Sequence, residues 1–519
     1  MKRRNFLKAT STAVSLPLLF NGMRLSAMPK PSLFDSINSD NDRVLVLIQL
    51  NGGNDGLNTL LPLDQYDKLF PLRSNVIVPE NDLIKLNDNL GLHPEMSGFK
   101  NLFDQGKLGI VHSVGYPNQN RSHFRSMDIW QSGSPAEETW TTGWLGRHFQ
   151  EGHDDFPEAY PNETYPHPFA ITMGNVVSET CQGTAANFSL TLSDPFALSP
   201  LAEGNGGETP DTPYGKELDF LRITIAQSNQ YAEEITIAAE KGNNRVEYPE
   251  NNNLAQQLKN IALMISGGLQ TKVYVASLGG FDTHANQVED GNTGIGVHAT
   301  LLRNLSEAIA AFQEDLQAMS LEERVLGLTF SEFGRQIRSN FSFGTDHGTA
   351  APLFLFGSCT NPSVLGQSLE IPDEVQVQEG IPMQYDFRDI YGSILEDWFE
   401  VEEMAIKTLL HPSYNKLPII QDCRVATDTE QVLEPEILLN AYPNPFRSQT
   451  NIQFSAQGGI VRLSIYNAMG SELKVLINKK LPKGTHKITW DATNLAAGNY
   501  YYRYQEGMIQ KTMHLIKVR

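Results

Sequence analysis

Cysteine is scarce: Cys181, Cys359 and Cys423 are the only 3 in 519 residues, too few and too scattered for a disulfide framework or a thiolate-held zinc. They leave room for one disulfide. None of them opens a Cys-x-Pro-x-Arg stretch, which counts against the familiar sulfatases that make a formylglycine nucleophile there. Positive charge is also short, with 40 Lys and Arg against 60 Asp and Glu and a formal net charge of −20. Such a surface repels nucleic acid and anionic lipid. Beyond the N-terminal segment, no stretch offers the roughly 18 uninterrupted apolar residues of a membrane span. What is present, 40% hydrophobic and 19% charged residues, is the composition of a soluble globular protein, and the length calls for at least two folded units.

Residues 1–27 begin with Lys2, Arg3 and Arg4, continue in an apolar run from about Ala9 to Phe20 and end on Leu25-Ser26-Ala27, a plausible cleavage site. This resembles a twin-arginine export signal, a route for chains that fold, often around a metal, before export. A weak membrane anchor is the rival reading. Cleavage there removes five basic residues and no acid, leaving a still more acidic mature chain.

From Arg43 to about Pro418, short apolar strands alternate with amphipathic helices, the pattern of an α/β domain with a mostly parallel sheet covered by helices on both faces. Strands are expected at Val44–Leu50, Leu108–Val114, Lys272–Leu278, Val325–Phe330 and Leu353–Phe356. Helices are expected at Pro94–Asp104, Ser122–Gln131, Asn253–Ile265, Gly296–Met319 and Arg388–Phe399. The stretch between Cys181 and Asn253, which contains LAEGNGGETPDTPYG, reads as an insertion over the sheet, a lid or a surface excursion. A linker is expected over residues 419–436. Residues 437–519 then alternate short strands with Gly, Asn and Pro turns, a small antiparallel β-sandwich.

In a parallel sheet, ligands gather beyond the carboxyl ends of the strands. Here those ends lead into NGGND, NRSHFRS, GGFDTHANQ and SEFGRQ with GTDHG, which supply Asp55, Ser122, His123, Asp282, His284, Glu332, Arg335, Asp346 and His347. Any one of these alone reads as a cap or a loop hydrogen bond; together they suit a divalent metal, zinc first, then manganese, calcium or magnesium. Asp282 and His284, two apart, point the same way in an extended segment. Adjacent Asp346 and His347 serve neighbouring sites, or one ligates while the other orients it. Ser122 opens a helix, as an N-cap or as a hydroxyl in the positive field that attracts a phosphate or sulfate group. His123 reads as ligand, acid/base or packed ring. Arg335 clamps an oxyanion or pairs with Glu332.

The motifs GGNDGLNTLLP, NRSHFRSMDIWQSG, GGFDTHANQ, SEFGRQ with GTDHGTAAPLFLFG, and YDFRDIYGSILEDWF resemble domain of unknown function 1501, a family similar to the alkaline-phosphatase-like superfamily and sometimes labelled sulfatase-like. The resemblance implies an alkaline-phosphatase-like sheet with a two-metal hydrolase site. In that site Asp55, Asp282, His284, Asp346 and His347 are ligands, Glu332 is a further candidate, and Ser122 is the nucleophile. The superfamily's Asp-x-x-x-His is shortened here to Asp-x-His, and its last histidine corresponds to either His298 or His123. The pieces YPNPF, LSIYNAMG, LPKGTH and LAAGNYYYR resemble the C-terminal sorting domain of the type nine secretion system. The chain is therefore expected to be exported through the periplasm and secreted or attached to the outer surface. Its expected partners are export machinery and a small-molecule or glycan ester, with no nucleic acid. The competing expectation is a non-catalytic binding or assembly protein on the same scaffold.

Overall fold

The structure, a computed structural model, describes residues 42–198, 201, 209–421, 439–456, 458–467, 472–506 and 509–518. The presumed export signal lies outside these residues, as do most of the expected linker and the LAEGNGG stretch.

Eleven strands position the site: β1 (Val44–Asn51), β2 (Leu108–Gly115), β3 (Ala170–Met173), β4 (Ser189–Leu192), β5 (Val273–Gly279), β6 (Val325–Phe330), β7 (Arg335–Ser339), β8 (Thr345–His347), β9 (Ala351–Phe356), β10 (Val364–Leu365) and β11 (Tyr385–Asp386). Nine of them form one sheet in the order β10-β2-β9-β6-β1-β5-β3-β4, with β11 also on β2. All pairings are parallel except those of β9, which runs antiparallel between β2 and β6. The expected strands agree with the observed ones to within two residues. The short β3 and β4 are additions, so part of the expected insertion is the edge of the sheet. Antiparallel β7 and β8 form a separate hairpin.

Strand β1 shows why the sheet is covered twice. Successive side chains point to opposite faces, so an unbroken apolar run buries both. Val44, Val46, Ile48 and Leu50 join one core, Leu45 and Leu47 the other. The first core is closed by helices α1 (Ser97–Asp104), α2 (Asn253–Ser266) and α3 (Val297–Ala318), the second by α4 (Phe387–Asp397), α5 (Glu403–Leu409), α6 (His123–Ser132) and α7 (Trp144–Gly152). Helix α3 buries Leu301, Leu302, Leu305, Ala308, Ile309, Phe312 and Leu316, the three- and four-residue spacing of an amphipathic helix. The Asn252 side chain caps α2 by accepting from the Ala255 amide at 3.1 Å, and Asp386 caps α4 by accepting from the Arg388 amide at 3.0 Å.

Ile419, the first residue of the expected linker, is buried in the second core, and its carbonyl accepts from the Asn361 amide at 3.0 Å. Cys359 is disulfide-bonded, whereas Cys181 is a free thiol whose pKa burial pushes up to about 12. No helix among the described residues is long and apolar enough to cross a membrane.

His148 and His298 are both buried, and burial pushes each pKa from 6.5 down to about 4. The unfolded chain takes up these protons more readily, so the stability they contribute is present above pH 6.5 and is lost as pH falls toward 4. With metal removed by a chelator, urea titration should give a stability at pH 5 lower than at pH 7 by on the order of 4 kcal/mol for the pair. Equal midpoints at the two pH values would mean that these rings are hydrated.

The chain divides into two compact units at Cys423/Arg424. The second contains two antiparallel sheets. One joins Leu439–Tyr442, Gln449–Ala456 and Gly484–Asp491; the other joins Glu472–Lys480, Ile460–Asn467, Gly498–Glu506 and Ile509–Lys517. One core between them includes Ile452, Phe454, Leu463, Trp490 and Tyr502. The alternating burial of Thr450, Ile452, Phe454 and Ala456 is the two-residue period that the sequence predicts for a sandwich.

Candidate metal centre

Three strand ends and one hairpin converge. Strand β1 runs into Gly52 and Gly53, β5 into Asp282 and His284, and β6 into Glu332, while β8 carries Asp346 and His347 and α6 begins at His123. The glycines are required by crowding: with φ of +121° and +83°, a Cβ on Gly52 would fall on the Asp282 amide and one on Gly53 on the Phe333 ring.

Each of three imidazoles is held at Nδ1 by an acceptor. His123 Nδ1 lies 2.8 Å from Glu332 Oε1, His284 Nδ1 lies 2.8 Å from Asp346 Oδ1, and His347 Nδ1 lies 2.9 Å from the Arg121 carbonyl. A carbonyl carries no proton, so His347 donates from Nδ1. The carboxylates impose the same tautomer on the other two rings. Burial raises the Asp346 pKa, but hydrogen bonds from His284 and Asn340 hold it below the usual carboxylate value overall. That leaves three Nε2 lone pairs, which lie 3.5 Å (His123), 3.2 Å (His284) and 3.3 Å (His347) from Asp282 Oδ1. The Nε2 atoms of His284 and His347 are 2.8 Å apart.

With Nδ1–H turned outward, the Nε2 lone pairs and the carboxylate repel unless a proton or a cation lies between them. A cation preferring nitrogen and oxygen donors removes that repulsion, and the outward Nδ1–H···O contacts are those that fix histidine ligands to a metal. The donor set therefore fits a divalent ion. Side-chain exposures of 32% for His123, 47% for Asp282, 43% for His284 and 24% for His347 leave the centre open to a ligand on one side.

The other expected site residues take different places. Glu332 and Asp346 orient His123 and His284 from behind and are not among the converging donors. Glu332 is itself held, Oε1 by the Gly52 amide at 2.9 Å and Oε2 by the Ser331 hydroxyl at 3.2 Å. The Arg335 guanidinium is fully buried and committed. It donates to the carbonyls of Gly52, Gly53, Phe281 and Thr345, and at 2.7 Å to Asp282 Oδ1. Burial raises the Asp282 pKa, and Arg335 brings it below the ordinary value. Asp55 stands apart from the converging donors in a buried ion pair with Arg73, and His298 lies beside it, bonded to Asn54 Oδ1 at 3.0 Å. His123, not His298, joins the centre. Ser122 holds the N-cap position of α6 in extended conformation, exposed and without a side-chain capping bond.

Sequence reading did not single out Arg73, Gln287, Asn340 or the Arg121 carbonyl. Asn340 donates to Asp346 Oδ1 at 3.1 Å and to the His284 carbonyl at 2.9 Å. Arg121 and Gln287 stand within the NRSHFRS and GGFDTHANQ stretches, Arg73 and Asn340 within none, and the roles of all four come from remote neighbours.

An α/β sheet that gathers histidines and an aspartate beyond its strand ends defines the class. The chain belongs to the family described as Protein of unknown function (DUF1501), whose model matches residues 42–397, and it carries a secretion system C-terminal sorting domain at residues 440–518. No curated protein matches the chain. Among solved structures, it is similar to one from a study of the metabolism of multiple glycosaminoglycans by Bacteroides thetaiotaomicron, at 9% identity and TM-score 0.35, over 87% of this chain and 90% of that one. A protein in the alkaline phosphatase superfamily from Vibrio parahaemolyticus is similar at 10% identity and TM-score 0.29, over 91% and 90%. PorZ, a surface component of the type-IX secretion system of Porphyromonas gingivalis, is similar at 16% identity and TM-score 0.14; the match covers 18% of this chain and 13% of PorZ.

Proposed function

We propose that this is an exported, metal-dependent hydrolase of phosphate or sulfate esters. The observation that carries the reading is the convergence of three Nε2 atoms on Asp282 with every Nδ1 committed elsewhere. A divalent cation there, zinc first by donor type, supplies Lewis acidity toward an ester oxygen.

The protein's own groups do the rest. Ser122 precedes the site histidine and stands at the N-terminus of α6, where first-turn amides and the helix field favour an anionic group; its hydroxyl is the proposed nucleophile. Glu332, Asp346 and the Arg121 carbonyl hold the Nδ1 sides of the three imidazoles and aim the rings. Arg335 locks the turns after β1 and β5 together. Phe124, 86% exposed, adjoins His123, and Phe341, fully exposed, adjoins Asn340. Two water-facing rings next in sequence to His123 and Asn340 support an ester carried on a molecule with an apolar face, as a sugar has. The sorting domain supports delivery to the cell surface, and we place the route through the periplasm, with the N-terminal segment as the twin-arginine signal.

The test uses the mature chain loaded with zinc or manganese against a broad panel of phosphate and sulfate esters, including sugar esters. Ser122→Ala should retain its metal and lose turnover by roughly 100-fold or more. A metal-loaded protein that cleaves no ester on the panel would instead favour a binding or assembly role.

A further inference from the structure

The resemblance to two-metal hydrolases places an ion on Asp55, and the structure disagrees. We propose that this chain holds one cation, and that the Arg73 guanidinium is the fixed positive charge where a second ion would sit. The inference rests on the metal centre proposed above.

Asp55 and Arg73 are both fully buried, with side-chain exposures of 1% and 0%. Asp55 Oδ2 accepts from Arg73 Nη2 and, at 2.6 Å, from Gln287 Nε2. Burial by itself pushes the Asp55 carboxyl up, but Arg73, His298 and Gln287 bring it below the ordinary range. The carboxylate is therefore charged and already neutralised. Asp55 Oδ1 has no hydrogen-bond partner among the described residues, but a divalent ion on either oxygen would face the guanidinium of a fully buried pair and be strongly repelled, whereas Asp282, which also accepts from an arginine, is 47% exposed and screened by solvent. Each of the nearby rings has a nitrogen committed elsewhere: His298 Nε2 lies 3.0 Å from Asn54 Oδ1, and His93 Nδ1 accepts from the Glu95 amide at 3.2 Å. Among the described residues, His123, Asp282 and His347 bring their donor atoms within 4.8 Å of one another, a grouping that does not include Asp55.

The pair reaches the metal centre through one side chain. Gln287 Oε1 accepts from the Thr283 hydroxyl at 3.0 Å and the Thr345 hydroxyl at 2.8 Å. Thr283 lies between Asp282 and His284; Thr345 is two residues before His347. Arg73, Asp55 and Gln287 are thus positioning residues: they hold the two ligand-bearing loops at a fixed separation without touching the ion.

Metal analysis of the chelator-stripped, zinc-reloaded full chain should give one ion per molecule. Asp55→Asn and Gln287→Ala should keep that stoichiometry while weakening zinc affinity roughly 10- to 100-fold, measured by competition with a chromophoric chelator at a temperature where circular dichroism shows each variant folded. Two ions in the wild type, with one lost in Asp55→Asn, overturn the inference and leave the metal centre standing. Unchanged affinity in Gln287→Ala, which creates no unpaired buried charge, overturns the positioning role. No bound ion in the wild type overturns both the inference and the metal centre it depends on.

Discussion

Asp282→Ala is expected to give a folded chain that no longer retains zinc through dialysis. Asp282 is the carboxylate that all three Nε2 atoms face, and it is half exposed; its loss leaves the buried Arg335 guanidinium to four backbone carbonyls, which continue to hold it. Three neutral imidazoles alone supply no negative charge to offset a dication. The affinity loss should therefore exceed the roughly 10- to 100-fold expected of Glu332→Gln or Asp346→Asn, which act on the ligands from behind through Nδ1. Chelator competition and metal analysis on the three variants check the order. Zinc affinity in Asp282→Ala equal to that of the wild type would mean that the donors do not form a metal site.

Arg335→Met should be the most destabilising single change near the centre. The guanidinium satisfies four backbone carbonyls, two from the glycine turn after β1, one from Phe281 and one from Thr345, besides Asp282. Methionine fills a similar volume but donates nothing, leaving buried carbonyls unpaired at about 1–3 kcal/mol each. The pair with Asp282, which is 47% exposed, adds less than the ~3–5 kcal/mol of a fully buried pair. Urea denaturation should show a loss at the upper end of that range or beyond, accompanied by weaker zinc binding. A variant as stable as the wild type would contradict the buried role, and one that lost only ester turnover would restore Arg335 as a clamp on substrate.

The major strands of the sheet were legible because each is a short apolar run between turn residues, and their observed bounds shift little. Ala170–Met173 was not, since four residues beside prolines carry too little periodicity to separate a strand from a loop. The antiparallel direction of β9 was equally hidden: pairing sense depends on the path of the chain, and the local pattern of Leu353–Phe356 suits either. At the site, the histidines and Asp282 were found because they follow strands, but ligand and orienting residue were not separable. Asp346-His347 reads the same whether one binds and the other aims. The Asp55 ion pair was hidden for a clear reason: its partner Arg73 lies 18 residues on, in a stretch with no motif, and only folding brings the two into contact.

By itself, the amino-acid order determined the two folded units, the doubly covered sheet and the residue types collected beyond its strand ends, because apolar periodicity and turn chemistry are local. Only the tertiary structure decided which imidazole nitrogen faces inward, that Arg335 is a buried brace, and that Asp55 is neutralised by an arginine. Those outcomes depend on placing atoms far apart in the chain to within a fraction of an ångström, and no local pattern encodes such distances.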